Sequence, residues 1–216
     1  MKKKIIIILL GLPGSGKGTQ GAIISKGLGL PHISTGDIFR KMISGNSEES
    51  KLLASCMSSG KLLSTDLANK IVKKFIHSDE CAAGCILDGY PRTIEQAEYL
   101  VKNVDAEINT IFFDLEDEIA TKRILGRINC ASCGKIYNKY FDNPKKEGIC
   151  DVCGSNEFLS RSDDDEDTIL SRIEEYKKET LPMIECIKQN GRFFLINAGE
   201  LKEHVVNEVS SIIKKI

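Results

Sequence analysis

Two groups of residues in this chain have types and spacings that can do chemistry, and a third flanks them. Gly11, Gly16 and Lys17 in the stretch GLPGSGKGT fit the pattern G-x-x-x-x-G-K. In such a loop the glycines let backbone N–H groups turn inward around phosphate oxygens, and the lysine adds a full positive charge. The alternative is an ordinary glycine-rich turn. Cys130-x-x-Cys133 and, sixteen residues on, Cys150-x-x-Cys153 have the spacing of a four-thiolate metal site. Each knuckle brings two sulfurs to one ion, and two knuckles complete a tetrahedron with no position left for water. The expected site is therefore structural and holds Zn2+ ahead of iron, with disulfide pairing as the alternative. Arg123, Arg127, Arg161 and Arg172 stand on both sides of these cysteines. A spacing of four puts Arg123 and Arg127 on one face of an expected helix.

The elements that must hold these groups follow from the apolar pattern. Ile5 to Leu10 reads as a fully buried strand ended by glycine. Gly16 to Leu28 reads as a helix whose free N–H groups and positive dipole end reinforce the anion site. The generic loop has Ser or Thr directly after its lysine, whereas here Gly18 precedes Thr19. Pro31 to Ser34 suggests a short strand, and Gly36 to His77 is helical in pieces broken at SGNS and SSGK. Strands are expected at Cys85 to Asp88, Thr110 to Leu115 and Arg192 to Asn197. Helices are expected at Ile94 to Val104, Glu116 to Arg127 and Leu201 to Lys214. Short apolar strands alternating with helices imply a parallel sheet covered on both faces. Residues 129–160 break the alternation and read as an insertion with little apolar material, for which a metal supplies the missing stability.

Composition narrows the partners. With 30 basic and 31 acidic side chains the net charge is −1, so anion binding is local, and neither nucleic acid nor a membrane is expected as a partner. A zinc ribbon that binds nucleic acid is disfavoured because Lys135, Lys139, Lys145 and Lys146 are offset by Asp142, Glu147, Asp151 and Glu157. The start MKKK followed by aliphatics superficially resembles a signal peptide, but the apolar run is short and passes into the glycine loop. No stretch approaches the roughly 20 apolar residues of a membrane span. A cytoplasmic protein is expected. In that compartment Cys56, Cys81, Cys85 and Cys186 act as small apolar side chains.

The string GLPGSGKGTQ, with glycine between lysine and threonine, resembles the nucleoside monophosphate kinases, adenylate kinases above all. Further stretches resemble the same family in order over nearly the whole chain. The resemblance implies an α/β, P-loop NTPase-type parallel sheet with helices on both faces. Residues 1–216 would form one domain, with a mobile AMP-side helical segment at 34–63 and a zinc-binding lid at 127–164. ATP would lie on Gly14, Ser15, Gly16, Lys17, Gly18 and Thr19, with Arg123 over its base and Ile136, Tyr137 and Glu200 bordering it. The Ala198–Gly199 spacing shifts Glu200 from the family pattern. In ISTGDIFR, Thr35 would meet the adenine of AMP and Arg40 its phosphate. SGKLLSTDL resembles the next AMP-contacting stretch, Lys61, Leu62 and Leu63, with Thr65 where the family has an acid. In CILDGYPRTIEQA, Asp88 would face Mg2+ and its waters, Gly89, Tyr90 and Pro91 would line the AMP side, Arg92 would reach the AMP phosphate, and Gln96 the adenine edge. Arg127, Arg161 and Arg172 would converge on phosphates. The acids Asp163 to Asp167 would both complement a helix dipole and pair with arginines. The implied reaction is MgATP + AMP ⇌ 2 ADP, without a protein nucleophile, in a monomer. Competing readings are UMP or CMP as acceptor, GTP as donor, and a zinc-ribbon binding protein with a degenerate nucleotide site.

Overall fold

The computed structural model of the protein describes residues 3–45 and 47–216. Met1 and Lys2 of the MKKK start and Asn46 of the SGNS break, which also falls in the 34–63 segment, lie outside them. The isoleucine-rich run becomes β1 (Lys4–Gly11), the central strand of a five-stranded sheet. β2 (His32–Ser34), β3 (Gly84–Asp88), β4 (Ala106–Asp114) and β8 (Arg192–Asn197) complete it in the order β2-β3-β1-β4-β8, every pair parallel. Alternate side chains of a strand point to opposite faces. Ile7 and Leu9 accordingly enter one core with Ile24, Phe113 and Val209, while Ile6 and Ile8 enter the other with Leu87, Leu100 and Met183. Fully burying each such side chain is worth about 1.5–3 kcal/mol.

The crossovers are helical. α1 (Lys17–Leu28) follows β1; α2 (Thr35–Ile43), α3 (Glu48–Ser58) and α4 (Thr65–Ile76) lie between β2 and β3; α5 (Ile94–Asn103) joins β3 to β4. After β4 come α6 (Asp117–Leu125) and a small antiparallel sheet of β5 (Arg127–Cys130), β6 (Ile136–Asn138) and β7 (Phe158–Leu159), ordered β6-β5-β7. α7 (Glu166–Glu175) continues through a π turn at Tyr176–Thr180 into α8 (Leu181–Lys188), and α9 (Lys202–Ile213) packs beside α1. Among the described residues no helix is long and apolar enough to cross a membrane.

Two elements differ from the sequence expectation. β4 begins at Ala106 rather than Thr110, because Glu107 and Asn109 interrupt the apolar pattern while their backbones pair with Ile5 and Ile7. The helix expected to run to Arg127 ends at Leu125, so Arg127 is not on a helix face with Arg123 but opens β5. Gly126 is the reason. A Cβ there would lie 2.7 Å from Asn138 Oδ1 and 2.5 Å from the Tyr140 ring, so any side chain would have to displace both where the chain turns past β6.

Candidate active site

The phosphate-type loop leaves the carboxyl end of β1, at the edge of a parallel sheet where ligands bind. At Gly14, φ is +83° and a Cβ would come 2.7 Å from the Ala120 carbonyl, so the loop presses on α6. Lys17 Nζ donates to the Gly11 and Leu12 carbonyls at 2.7 and 2.8 Å and to Ser15 Oγ at 3.3 Å. Burial pushes its pKa down to about 8, against the attraction of Asp88 and with the repulsion of Arg92, Arg172 and Arg127.

Those neighbours form a cluster of cations. Arg92 Nε donates to the Gly89 carbonyl at 2.8 Å, and burial followed by Arg172 lowers its pKa to about 10. Arg161 is lowered to about 10 by burial, then by Arg127 and Arg40. Arg127, displaced to the strand, still faces the cluster. It grips Asp164 with two N–H groups, Nε to Oδ2 at 2.8 Å and Nη2 to Oδ1. Arg172 Nη1 donates to Asp163 Oδ2 at 3.1 Å. Arg40 bonds Asp37 at 2.6 Å and stands 3.9 Å from Asp163. The acidic run thus divides: Asp163 and Asp164 serve arginines, while Asp165 caps α7 by accepting the Thr168 N–H at 2.9 Å. Lys17, Arg40, Arg92, Arg127, Arg161 and Arg172 lie within electrostatic reach of one another in a chain of net charge −1. Such crowding is self-repulsive and suits a polyanion.

Asp88 ends β3 opposite the start of α1; a Cβ on Gly18 would lie 3.6 Å from its Oδ2. A hard carboxylate beside a phosphate loop, with the Thr19 hydroxyl at the same helix start, is a donor set that suits Mg2+. Thr35 is buried, and its hydroxyl donates to the Asp88 carbonyl at 3.2 Å. The buried Gln96 accepts the Arg92 N–H on Oε1 at 2.8 Å. Tyr90 and Pro91 are buried, and the Tyr90 hydroxyl donates to Asn69 Oδ1 at 2.6 Å. Lys61 is exposed between α3 and α4, with Leu62 and Leu63 half-buried. The Leu62 N–H reaches Glu175 at 3.4 Å, and the Thr168 and Ser171 hydroxyls donate to the Ser58 and Ser59 carbonyls. The turn before α4 therefore rests on α7, the helix that carries Arg172.

On the other side, Arg123 Nη1 donates to the Ala198 carbonyl at 2.9 Å, and its guanidinium lies 5.9 Å from the centre of the Phe141 ring. Glu200 is exposed in the adjoining turn, 3.4 Å from Asn197 Nδ2 and 3.6 Å from His204 Nδ1. Ile136 is half-buried on β6. Tyr137 is only 2% exposed, turned into the core of the small sheet, so its backbone alone is left to meet a nucleotide.

The four thiol sulfurs of Cys130, Cys133, Cys150 and Cys153 lie within 4.8 Å of one another. Cys130 to Cys153 is 3.5 Å and Cys133 to Cys150 is 3.6 Å. A tetrahedral Zn2+ with bonds of about 2.3 Å needs sulfurs about 3.8 Å apart, close to both of these separations, so the four thiols suit the ion. A disulfide needs about 2.05 Å, and all four cysteines are free. The Cys150 thiol is lowered to about 6, chiefly by the Tyr137 hydroxyl.

The adenylate kinase family model matches residues 9–192. The chain belongs to the adenylate kinase family. The adenylate kinases of Rickettsia africae and Rickettsia conorii are 45% and 44% identical to it over 210 residues, 97% of this chain and 99% of each relative. That of Rickettsia typhi is 44% identical over 211 residues, with the same coverage. Membership makes the chain an enzyme of nucleotide phosphotransfer.

Two side chains of this adenylate kinase that no sequence signal singled out lie against the site. His32 Nε2 is 3.4 Å from Asp88 Oδ2; a lone histidine on a three-residue strand carries no pattern. Phe141 covers Arg123. Its neighbour Tyr140 shares its exposure, which no sequence pattern reports.

Proposed function

We propose that this adenylate kinase catalyses MgATP + AMP ⇌ 2 ADP, adenine nucleotide homeostasis being its role. The observation that carries the reading is the convergence of Lys17 and the five arginines in one cluster at the carboxyl edge of the sheet. Donor phosphates would lie on the N–H groups of Gly14 to Thr19 and on Lys17. The donor base would rest against Arg123, bordered by Ile136, the Tyr137 backbone and Glu200. Arg40 and Arg92 would hold the acceptor phosphate. Its base would meet Thr35 and Gln96, in a pocket walled by Lys61, Leu62, Leu63, Gly89, Tyr90 and Pro91. Asp88 and Thr19 would hold Mg2+ through its waters, and the ion supplies neutralisation of donor phosphate charge when bound.

Phosphoryl transfer needs alignment and charge neutralisation more than covalent help. The acceptor phosphate oxygen attacks the terminal phosphorus of the donor, the bond to the leaving ADP oxygen breaks, and no side chain becomes a nucleophile. Arg127 and Arg172 would exchange their carboxylate partners for the travelling phosphoryl group, which Arg161 would meet from the same cluster. Residues 127–164 as lid and 34–63 as the AMP-side segment would close over both nucleotides and exclude water, which would otherwise take the phosphoryl group. Zn2+ on the four cysteines would let the lid move as one body. We place the enzyme in the cytoplasm as a monomer, with ATP, AMP and ADP as its small-molecule partners.

Calorimetric titration with a dinucleoside polyphosphate tests the site. One diadenosine molecule per chain is expected, binding more tightly than a mixed adenosine–uridine analogue, and Arg92→Ala should weaken it. Tighter binding of the mixed analogue would overturn the choice of AMP as acceptor.

A further inference from the structure

The Tyr137 hydroxyl has no part in the nucleotide contacts proposed above, which use only the backbone of this buried residue. Its ring packs in the small core with Cys130 and Cys150 and meets Phe158 edge-on at 5.8 Å and 70°. A phenylalanine would pack equally well. The hydroxyl oxygen accepts the Asp151 N–H at 2.7 Å and lies 3.4 Å from Cys150 Sγ. A metal-bound thiolate is only an acceptor, so the one proton on that oxygen points to the sulfur. Among the described residues, Cys150 is the one knuckle cysteine whose sulfur has a side-chain hydroxyl within hydrogen-bond distance.

Position adds meaning to this bond. Cys130 of the first knuckle is the last residue of β5, and Arg127 is the first. Tyr137 sits opposite Ile128 on β6, and Asn138 sits opposite Arg127. Asn138 Nδ2 in turn donates to the Arg123 carbonyl at 2.6 Å. The second knuckle lies beyond the long connection after β6, and the Tyr137 hydroxyl bonds it twice, at Cys150 and at Asp151.

We infer that Tyr137 is a positioning residue for the lid metal: its hydroxyl donates to the Cys150 thiolate and ties the second cysteine knuckle to the strand pair that carries Arg127. The bond fixes the direction of that sulfur, disperses part of its negative charge and slows loss of the ion. Partners of this kind are typically worth 10–100-fold in metal affinity. The inference rests on the proposal that the four thiolates hold Zn2+.

The test uses the full chain, unmutated and as Tyr137→Phe and Phe158→Leu, each loaded with Zn2+ or with Co2+. In competition with a chromogenic chelator, Tyr137→Phe should bind Zn2+ about 10–100-fold more weakly. Its thiolate-to-Co2+ charge-transfer band should move to lower energy, since the sulfur loses a hydrogen bond. Phe158→Leu loosens the packing of the same ring but keeps the hydroxyl, so its band should stay in place. In the unmutated chain loaded with an NMR-active cadmium isotope, the Tyr137 hydroxyl proton should show coupling to the metal. This measurement decides the matter even if Tyr137→Phe fails to fold. Unmutated affinity with an unmoved band in Tyr137→Phe, or a hydroxyl proton uncoupled to cadmium, would overturn the role of Tyr137 while leaving the metal site intact. An unmutated chain that takes up no metal would overturn both.

Discussion

Asp164→Asn should separate the resting partner of Arg127 from its working one. Asp164 is 3% exposed on its side chain and accepts two N–H groups of Arg127, which is itself 14% exposed. Asparagine keeps one acceptor, turns an amide N–H toward the guanidinium and removes the counter-charge. A hydrogen bond to a charged group is worth about 1.5–3 kcal/mol, and breaking a buried pair costs about 3–5 kcal/mol. The residual exposure of Arg127 favours the lower end, about 3 kcal/mol. In a domain of this size each kcal/mol moves Tm by about 2–4 °C, so the free variant should melt about 6–12 °C lower. With a dinucleoside polyphosphate bound, phosphate oxygens would take the place of the carboxylate, and most of the loss should vanish. The ligand-induced rise in Tm should therefore be larger in Asp164→Asn by about that same 6–12 °C. Thermal denaturation of both proteins with and without ligand reads this directly. An equal rise in the two would show that Arg127 does not leave Asp164 for phosphate.

Other outcomes follow from the same geometry. Arg127→Ala should lower kcat by about 10³–10⁵ with a far smaller effect on folding, since an arginine aimed at the transition state is worth that much; near-normal turnover would count against its placement. Burial lowers Lys17 to about 8, and a bound polyphosphate raises it again. Donor affinity should thus fall as pH rises through about 8, and binding just above that pH should take up protons, which calorimetry in buffers of different ionisation heat measures. Zero uptake would refute the lysine–phosphate contact. Stripping the lid metal with a chelator should lower Tm in proportion to the binding it removes; an unchanged Tm would mean that the four thiolates hold nothing that matters to stability.

Where the chain's own pattern was strong, the fold was legible. Ile5 to Leu10 could only be a buried strand, and Arg192 to Asn197 was bounded by turn residues on both sides; both took their expected places. The first half of β4 was hidden because Glu107 and Asn109 pair by backbone, which no side-chain pattern reports. Spacing alone misassigned Arg127, although Gly126 stood as a stop signal that four-residue periodicity outweighed. The acids at Asp163 to Asp167 were readable as arginine partners and dipole complement together, but their division of labour needed the turn into α7. The direction of Tyr137 turned on the parity of a three-residue strand, which only the pairing with β5 sets.

The most direct test of the central claim is the formation of ADP by the purified chain with Mg2+ across a matrix of donors and acceptors. Stoichiometric conversion of ATP plus AMP to ADP, fastest of all pairs, is the predicted result. No turnover with ATP plus AMP, alongside activity on UMP or CMP, would contradict it.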